Sequence, residues 1–178
     1  MTAQTSLQRP MVGLSGALRH HALLLVFVIA VSSLAGALYL QHALDWQPCP
    51  LCVLQRLAFV AVAVFALAGW LLARSSTGVL RSFKGLTLLS ALAGAATAGR
   101  HLWVKAHPAV SCGIDPLETA INAQWWVQQL PWLLKADGLC FTPLPPLLGL
   151  QLPTWSLLVL LLMAVLSLLQ TTRQSNPI

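Results

Sequence analysis

Four long apolar segments, separated by polar ones, dominate the sequence. They cover about residues 22–40, 51–72, 86–104 and 155–170. At a rise of 1.5 Å per residue, the first three are long enough to cross roughly 30 Å of hydrocarbon as helices, and the fourth suffices if Thr154 and Gln170 border it. The pattern predicts an all-α membrane protein, in which residues 1–178 form a single domain built as a four-transmembrane-helix bundle.

The only long polar segment covers about residues 105–153. Within it, residues 117–134 alternate loosely between apolar and polar positions, and they include Trp125, Trp126 and Trp132. This pattern predicts an amphipathic helix. It lies either on the membrane surface, with the tryptophans near the headgroups, or against other parts of the protein.

Small residues recur along the third apolar segment. Ala91, Ala95 and Gly99 are four residues apart and therefore share one helix face. Such a face lets two helices approach closely in lipid, so we expect it to pack against a neighbouring helix.

The charges indicate how the chain is oriented. Apolar residues make up 57% of the chain and charged residues only 8%, with a net charge of +6. The basic residues are scattered singly, which argues against a nucleic-acid partner. Four membrane spans place both termini on the same side of the membrane. The polar segments on that side contain basic residues and no acidic ones, and all four acidic residues lie on the opposite side. The positive-inside rule therefore predicts cytoplasmic termini and cysteines outside. The basic residues counted are Arg9, Arg19, Arg74, Arg81, Lys84 and Arg173.

Two of the four cysteines stand at the start of the second apolar segment, in Cys49-Pro50-Leu51-Cys52. This spacing is typical of redox-active pairs. Pro50 suits the first helical position, so we expect Cys49 to cap the helix and Cys52 to lie in its first turn. The helix dipole and Arg56, one turn further on, would favour a thiolate at Cys52. Arg56 could instead extend its charge to the lipid headgroups.

The other two cysteines, Cys112 and Cys140, lie far apart in the long polar segment. Gly113 and Gly138 stand near them, which suggests a mobile backbone around each sulfur. If these two cysteines form a disulfide, exchange can pass it to a soluble partner and on to the first pair. Two alternatives remain: a tetrahedral zinc site formed by all four cysteines, and inert thiols.

Electrons that pass from a soluble partner through the two cysteine pairs need a final acceptor. Val53 follows Cys52, so the chain lacks the CxxCH haem motif, and it has no GxGxxG dinucleotide motif. A lipid-dissolved quinone accepts two electrons and two protons. By elimination, a quinone beside Cys52 and Arg56 is the expected acceptor, with Arg56 stabilising negative charge on a quinone oxygen.

Several motifs together resemble the disulfide bond formation protein B (DsbB) family. They are Cys49-Pro-Leu-Cys52-x-x-Gln55-Arg56, Gly99-Arg100-His101-Leu102-Trp103, Cys112-Gly113 and Leu148-Gly149-Leu150-x-x-Pro153-x-Trp155. The resemblance covers nearly the whole chain. It implies a multi-pass enzyme of the bacterial inner membrane that reoxidises a periplasmic thioredoxin-like dithiol oxidase (DsbA) and reduces ubiquinone or menaquinone. The cysteine pairs would then be periplasmic.

The resemblance also assigns roles to individual residues. Cys112 resembles the cysteine that the partner attacks, and Cys140 resembles its disulfide mate. Cys140 would be bonded again through Cys49. Cys52 resembles the thiolate that contacts the quinone, and Arg56 the arginine beside it.

His101 and His107 are candidates for a further polar contact to the quinone, and His101 is the one assigned to the cofactor site. No resident metal is expected. The alternatives to the general thiol oxidase are a quinone-linked reductase, a specialised relative serving one dedicated partner, a metal-binding membrane protein and a purely structural four-span protein.

Overall fold

The computed structural model describes residues 9–72, 77–107, 116–140 and 145–172. Four long helices form the body: α1 (Arg9–Leu44), α2 (Pro50–Leu71), α3 (Thr77–Ala106) and α7 (Leu152–Thr172). Three short helices lie between α3 and α7: α4 (Pro116–Asn122), α5 (Trp125–Gln129) and α6 (Pro131–Leu134). The four helices correspond to the four apolar segments.

All four long helices contain a stretch that is long and apolar enough to cross a membrane. These stretches are His21–Leu44, Pro50–Leu71, Gly78–Ala106 and Leu152–Gln170. Large apolar side chains are exposed on every one of them, as on Leu25, Val64, Leu89 and Leu161. A water-facing surface would not carry so many, whereas lipid accommodates them. The fold class expected from the sequence, an all-α four-helix membrane protein, is confirmed.

Helix α3 begins earlier than its apolar segment suggested. It starts at Thr77 instead of about residue 86, so that Lys84 lies inside the helix and is buried. The apolar pattern did not predict this extension, because a charged residue such as Lys84 lowers the hydropathy of a segment without interrupting its helical conformation.

Small residues fill the centre of the bundle, where α2, α3 and α7 meet. Ala91 and Ala95 are buried there, as the spacing of small residues indicated. Gly94 makes the closest approach: a Cβ atom on it would lie 2.6 Å from Ala58 Cβ and 2.8 Å from a Leu160 methyl group. Gly99 does not belong to this contact, since a Cβ atom there would meet nothing within 4 Å. The predicted face was therefore right in two of its three residues.

The single amphipathic helix predicted over residues 117–134 was wrong. The segment forms α4, α5 and α6, with a first break at Gln124, whose backbone is extended. The second break is at Leu130, which precedes Pro131 and has φ −128° and ψ 55°. A proline disfavours helical conformation in the residue before it, and this is the physical reason for the second break.

The short helices turn their apolar side chains toward the bundle. Ile121, Val127 and Leu133 form a buried cluster with Val53 of α2, and Trp126 packs against that cluster. The packing corresponds to the expected alternative in which this segment lies on other protein. Trp125 and Trp132, by contrast, point outward and are 74% and 52% exposed, so these two remain available for a membrane interface.

Hydrogen bonds fix the ends of this segment. The side-chain amide of Asn122 donates to the carbonyl of Ala136 at 2.8 Å and accepts from its N–H at 2.9 Å. Near α7, Leu147 and Leu150 pair across a tight turn in which Leu148 and Gly149 have positive φ. The indole of Trp155 donates to the Leu147 carbonyl at 2.9 Å. The turn is therefore attached to the first turns of α7.

Candidate active site

The start of α2 positions the first cysteine pair. Cys49 is the N-cap, in extended conformation, and Pro50 takes the first helical position. The Cys49 sulfur accepts a hydrogen bond from the Cys52 backbone N–H at 3.4 Å. A cap side chain that accepts from an N–H three residues on is the usual N-cap arrangement, here made by sulfur. The local geometry expected from the sequence is confirmed.

The two thiols lie side by side. Cys49 and Cys52 are both free, and Cys49 Sγ donates to Cys52 Sγ at 3.1 Å. That hydrogen bond, together with burial, raises the pKa of Cys49 well above the usual thiol range. Cys49 thus holds its proton while Cys52 accepts the hydrogen bond. The two sulfurs are therefore chemically distinct although they are only three residues apart.

His101 of α3 faces both sulfurs. Its Nε2 lies 3.8 Å from Cys49 Sγ, and its Nδ1 lies 3.8 Å from Cys52 Sγ. Nε2 is also 3.2 Å from the Cys140 carbonyl oxygen, and Nδ1 is 3.3 Å from the Gln55 amide nitrogen. A carbonyl can only accept, so the proton lies on Nε2, while Nδ1 accepts from Gln55. The accepting nitrogen is thus the one near Cys52.

The segment that carries Cys140 is attached to the helix start. The N–H groups of Asp137 and Gly138 both donate to the Pro48 carbonyl, at 3.1 and 3.0 Å. Cys140 and Cys49 lie in one buried cluster. A Cβ atom on Gly138 would clash with the Gln47 carbonyl. The glycine therefore serves close approach of two backbones, whereas the sequence had suggested mobility.

Cys140 is disulfide-bonded, in contrast to the free pair at the start of α2. Cys112, expected to be its mate, lies outside the described residues. The described part of the site therefore combines one oxidised sulfur with one reduced pair.

Arg56 lies one turn into α2 beyond Cys52 and is buried. Its Nη1 donates to Gln41 Oε1 at 2.5 Å and to the Leu133 carbonyl at 2.9 Å, and its Nη2 donates to the Ala37 carbonyl at 3.3 Å. These acceptors are neutral, and within the described ranges no carboxylate forms an ion pair with Arg56. Its positive charge is thus held in place by neutral acceptors, with no carboxylate partner among the described residues. Extension to the headgroups, the alternative left open by the sequence, does not describe this buried side chain.

An apolar cavity of about 460 Å³ opens beside these residues, with α1 on one side and α7 on the other. Its walls are mostly aliphatic and aromatic, and Cys52, Gln55 and Arg56 supply polar groups. It extends along α2 from Cys52 to Phe59, which is roughly 10 Å at 1.5 Å per residue. Its volume and its few grouped polar atoms are typical of a small-molecule site.

A second cavity, of about 320 Å³, adjoins the first and shares Cys52 with it. It is lined by Cys49, His101 and Cys140, and by charged residues that include Asp45, Asp137 and Lys105. Cys52 lines both cavities, whereas Cys49 and Cys140 line only the second among the cavities described. Cys52 is thus the one cysteine that lines both the apolar cavity and the more polar one among the cavities described.

The structure brings together five of the six residues proposed from the sequence: Cys49, Cys52, Cys140, Arg56 and His101. The sixth, Cys112, is outside the described residues. His107, the weaker histidine candidate, is exposed and stacks on Trp103 with ring centroids 4.6 Å apart, so it has no place at the sulfurs.

Sequence reasoning missed two glutamines. Gln55 was part of the quoted motif, but its contact with His101 was not expected. Gln41, which bonds Arg56, stood unnoticed in a polar link. Gln55 is a polar residue within an apolar segment, and this was the one signal in the sequence that pointed to it. Gln41 lies among other polar residues, so no such signal distinguished it.

Comparison with known proteins identifies the family of the chain. A family model described as disulfide bond formation protein DsbB matches residues 19–170. The chain is similar to the disulfide bond formation protein B of Herminiimonas arsenicoxydans, with 45% identity over 85% of this chain and 96% of that protein. It is 46% identical to the Ralstonia nicotianae protein of the same name over 80% and 87% of the two chains. For disulfide bond formation protein B 1 of Pseudomonas syringae pv. syringae the values are 44%, 81% and 84%. The chain therefore belongs to the DsbB family of disulfide bond formation proteins.

Proposed function

We propose that the chain reoxidises a DsbA-type dithiol oxidase through Cys112 and Cys140 and passes the electrons through Cys49 and Cys52 to a membrane quinone. One observation carries this proposal: Cys52 lines both the more polar cavity, which Cys140 also lines, and the apolar cavity, which Arg56 also lines. A sulfur in that position can receive electrons from thiols on one side and give them up on the other.

The apolar cavity fits a quinone. A quinone supplies a two-electron, two-proton acceptor when bound, and its ring and isoprenoid tail are largely apolar. The cavity walls match that character, and the Arg56 guanidinium, with no compensating carboxylate among the described residues, favours a group that gains negative charge. A buried charge in a membrane helix is costly, and such residues usually mark functional sites. Ubiquinone and menaquinone both suit these walls.

The thiol steps balance as two successive exchanges. The partner dithiol reduces the Cys112–Cys140 disulfide, so that the partner leaves oxidised and two thiols form. The Cys140 thiolate then attacks Cys49 of an oxidised Cys49–Cys52 pair, and closure with Cys112 releases Cys49 and Cys52 as thiols. The backbone hydrogen bonds between Pro48 and residues 137–138 support this step, because they keep Cys140 beside Cys49.

Protons must leave together with the electrons. Cys49 holds its proton and donates a hydrogen bond to Cys52. The Nδ1 atom of His101 faces Cys52 as an acceptor, with Gln55 fixing its orientation. His101 therefore receives the Cys52 proton in this proposal. His101 does not line the apolar cavity, so we assign it to the thiol side of the cofactor site, where it touches Cys52 instead of the quinone ring.

We also propose the orientation that the charge distribution predicts. The termini are cytoplasmic, the cysteines are on the periplasmic side of the bacterial inner membrane, and the partner is a thioredoxin-like protein of the periplasm. The short helices α4 to α6 lie on that side, with Trp125 and Trp132 outward. Cysteine labelling from each side of intact and permeabilised cells tests this orientation.

The function is tested by purifying the chain in detergent and supplying a reduced DsbA-type partner and ubiquinone. Quinone absorbance and partner thiols are followed together. Cys52→Ser should abolish quinone reduction, while His42→Gln, a change of an exposed histidine on α1, should leave it unchanged. Quinone reduction that persists in Cys52→Ser would remove Cys52 from the electron path. A structural four-span protein would oxidise no partner thiols in any variant.

A further inference from the structure

We infer that the reduced Cys49–Cys52 pair, together with His101, forms a redox-gated binding site for one thiophilic divalent cation such as Zn²⁺. Sγ of each cysteine and a ring nitrogen of the histidine all lie within 4.8 Å of one another. The site concerns a reversible ligand and not a resident metal. It differs from the four-cysteine zinc site considered for the sequence, because His101 replaces Cys112 and Cys140.

The distances suit a tetrahedral ion. Zinc bonds to thiolate sulfur at about 2.3 Å and to imidazole nitrogen at about 2.0–2.1 Å, which sets neighbouring ligand atoms about 3.5–3.8 Å apart. The observed separations are 3.1 Å between the two sulfurs and 3.8 Å from Cys52 Sγ to His101 Nδ1. The sulfurs are closer than in a tetrahedral site and the distance from Cys52 Sγ to Nδ1 is at its upper limit, so the sulfurs must separate when an ion binds with Nδ1, and the fourth position is left for water.

The second nitrogen of His101 is already arranged as in metal sites. Its Nε2–H points to the Cys140 carbonyl at 3.2 Å. Histidines that bind metals usually donate their other N–H to a carbonyl or carboxylate, which fixes the ring and the tautomer. Nδ1 is then the ligand, and the cost is its contact with the Gln55 amide at 3.3 Å.

A cation has a route to this site. The cavity of about 320 Å³ that reaches both cysteines and His101 is also lined by Asp45 and Asp137, which are exposed. These are two of only four acidic residues in a chain of net charge +6. Lys105 lines the same cavity and Lys135 pairs with Asp137 at 3.1 Å, so the attraction is local and moderate.

The redox state controls binding. The two thiols lose two protons when Zn²⁺ binds, and no electron moves. A Cys49–Cys52 disulfide offers no thiolate, so oxidation of the pair leaves His101 as the only ligand of the three. A bound ion would occupy both thiolates and delay their oxidation. This effect on turnover rests on the proposed function, whereas the binding itself does not.

The test counts Zn²⁺ bound to the full chain in detergent, under anaerobic conditions, without quinone or partner. The background is Cys112→Ser with Cys140→Ser, which removes the outer thiols. We expect one Zn²⁺ per reduced chain, none after oxidation of the pair, and protection of Cys49 and Cys52 against alkylation. Adding His101→Gln should weaken binding at least about 10-fold, and adding His42→Gln should not change it.

Co²⁺ provides a check that does not depend on the folding of the variants, because its absorption reports thiolate ligands in the reduced background itself. Zn²⁺ bound equally by the oxidised chain would overturn the inference, as would a reduced background that binds none. A Co²⁺ spectrum without thiolate bands would also overturn it. Failure of quinone reduction in wild-type protein would contradict the proposed function and leave these binding results interpretable.

Discussion

Replacing Arg56 by alanine should weaken quinone binding and also loosen the protein, and the structure allows the two effects to be separated. The guanidinium lines the apolar cavity. It also connects α2 to α1 through Gln41 and Ala37, and to α6 through the Leu133 carbonyl. The substitution therefore removes two things at once: the positive charge in the cavity and the hydrogen-bond donors that connect the helices.

The magnitudes follow from these contacts. A hydrogen bond to a charged group contributes about 1.5–3 kcal/mol, which corresponds to a rise of about 10- to 100-fold in the KM for quinone. Buried acceptors left without a donor cost about 1–3 kcal/mol each. The Leu133 carbonyl and Gln41 Oε1 lose their short bonds to Arg56, so the free energy of unfolding should fall by about 2–6 kcal/mol.

Gln41→Leu is the matched control. It removes the acceptor at 2.5 Å from Arg56 Nη1 but keeps the cation, and Gln41 does not line the cavity. We expect lower thermal stability in Gln41→Leu with a KM for quinone close to that of the wild type. Arg56→Lys keeps the positive charge but lacks the planar guanidinium with its several donors. Its KM for quinone should therefore lie between those of the wild type and Arg56→Ala.

The assay measures initial rates of quinone reduction at varied quinone and, separately, at varied partner. Thermal unfolding of each variant is recorded in the same detergent. A KM for quinone that rises equally in Gln41→Leu and Arg56→Ala would mean that Arg56 acts only by connecting helices. A KM for partner that rises more than the KM for quinone in Arg56→Ala would remove Arg56 from the quinone site.

Two glycines give further predictions. Gly138→Ala should slow partner-driven turnover about 10- to 100-fold, because a Cβ atom clashes with the Gln47 carbonyl and moves Cys140 away from Cys49. Quinone reduction driven by a small dithiol that reaches Cys49–Cys52 directly should be unaffected. Unchanged partner-driven turnover would contradict the argument. Gly94→Ala should lower the free energy of unfolding by about 1–3 kcal/mol through overpacking against Ala58, measured by thermal unfolding in detergent. Gly99→Ala, with open space at its Cβ position, is the control, and equal losses in both variants would contradict this packing.

Features set by neighbours in sequence could be predicted. The lengths of the apolar segments identified the four membrane-spanning helices, and Pro50 indicated where α2 begins. The cap by Cys49 and the position of Cys52 in the first turn followed from proline chemistry and helix geometry alone. These are short-range properties of the chain, and short-range reasoning is sufficient for them.

Features set by distant contacts could not be predicted. The Gln41 and Leu133 bonds of Arg56 join positions 15 and 77 residues away. Gly138 near Cys140 suggested mobility, but the structure uses its small size against the Gln47 backbone. The break before Pro131 could have been foreseen from the sequence, since proline is a local signal that the apolar pattern had outweighed.

The arrangement supports the proposal that two sulfurs three residues apart serve different partners. A helix N-cap points outside the helix, while a residue in the first turn lies against its side. Cys49 therefore faces the segment of Cys140, to which Pro48 is hydrogen-bonded. Cys52 also lines the apolar cavity, which Arg56 lines and Cys49 does not. The proposed division of roles thus depends on the position at which α2 begins.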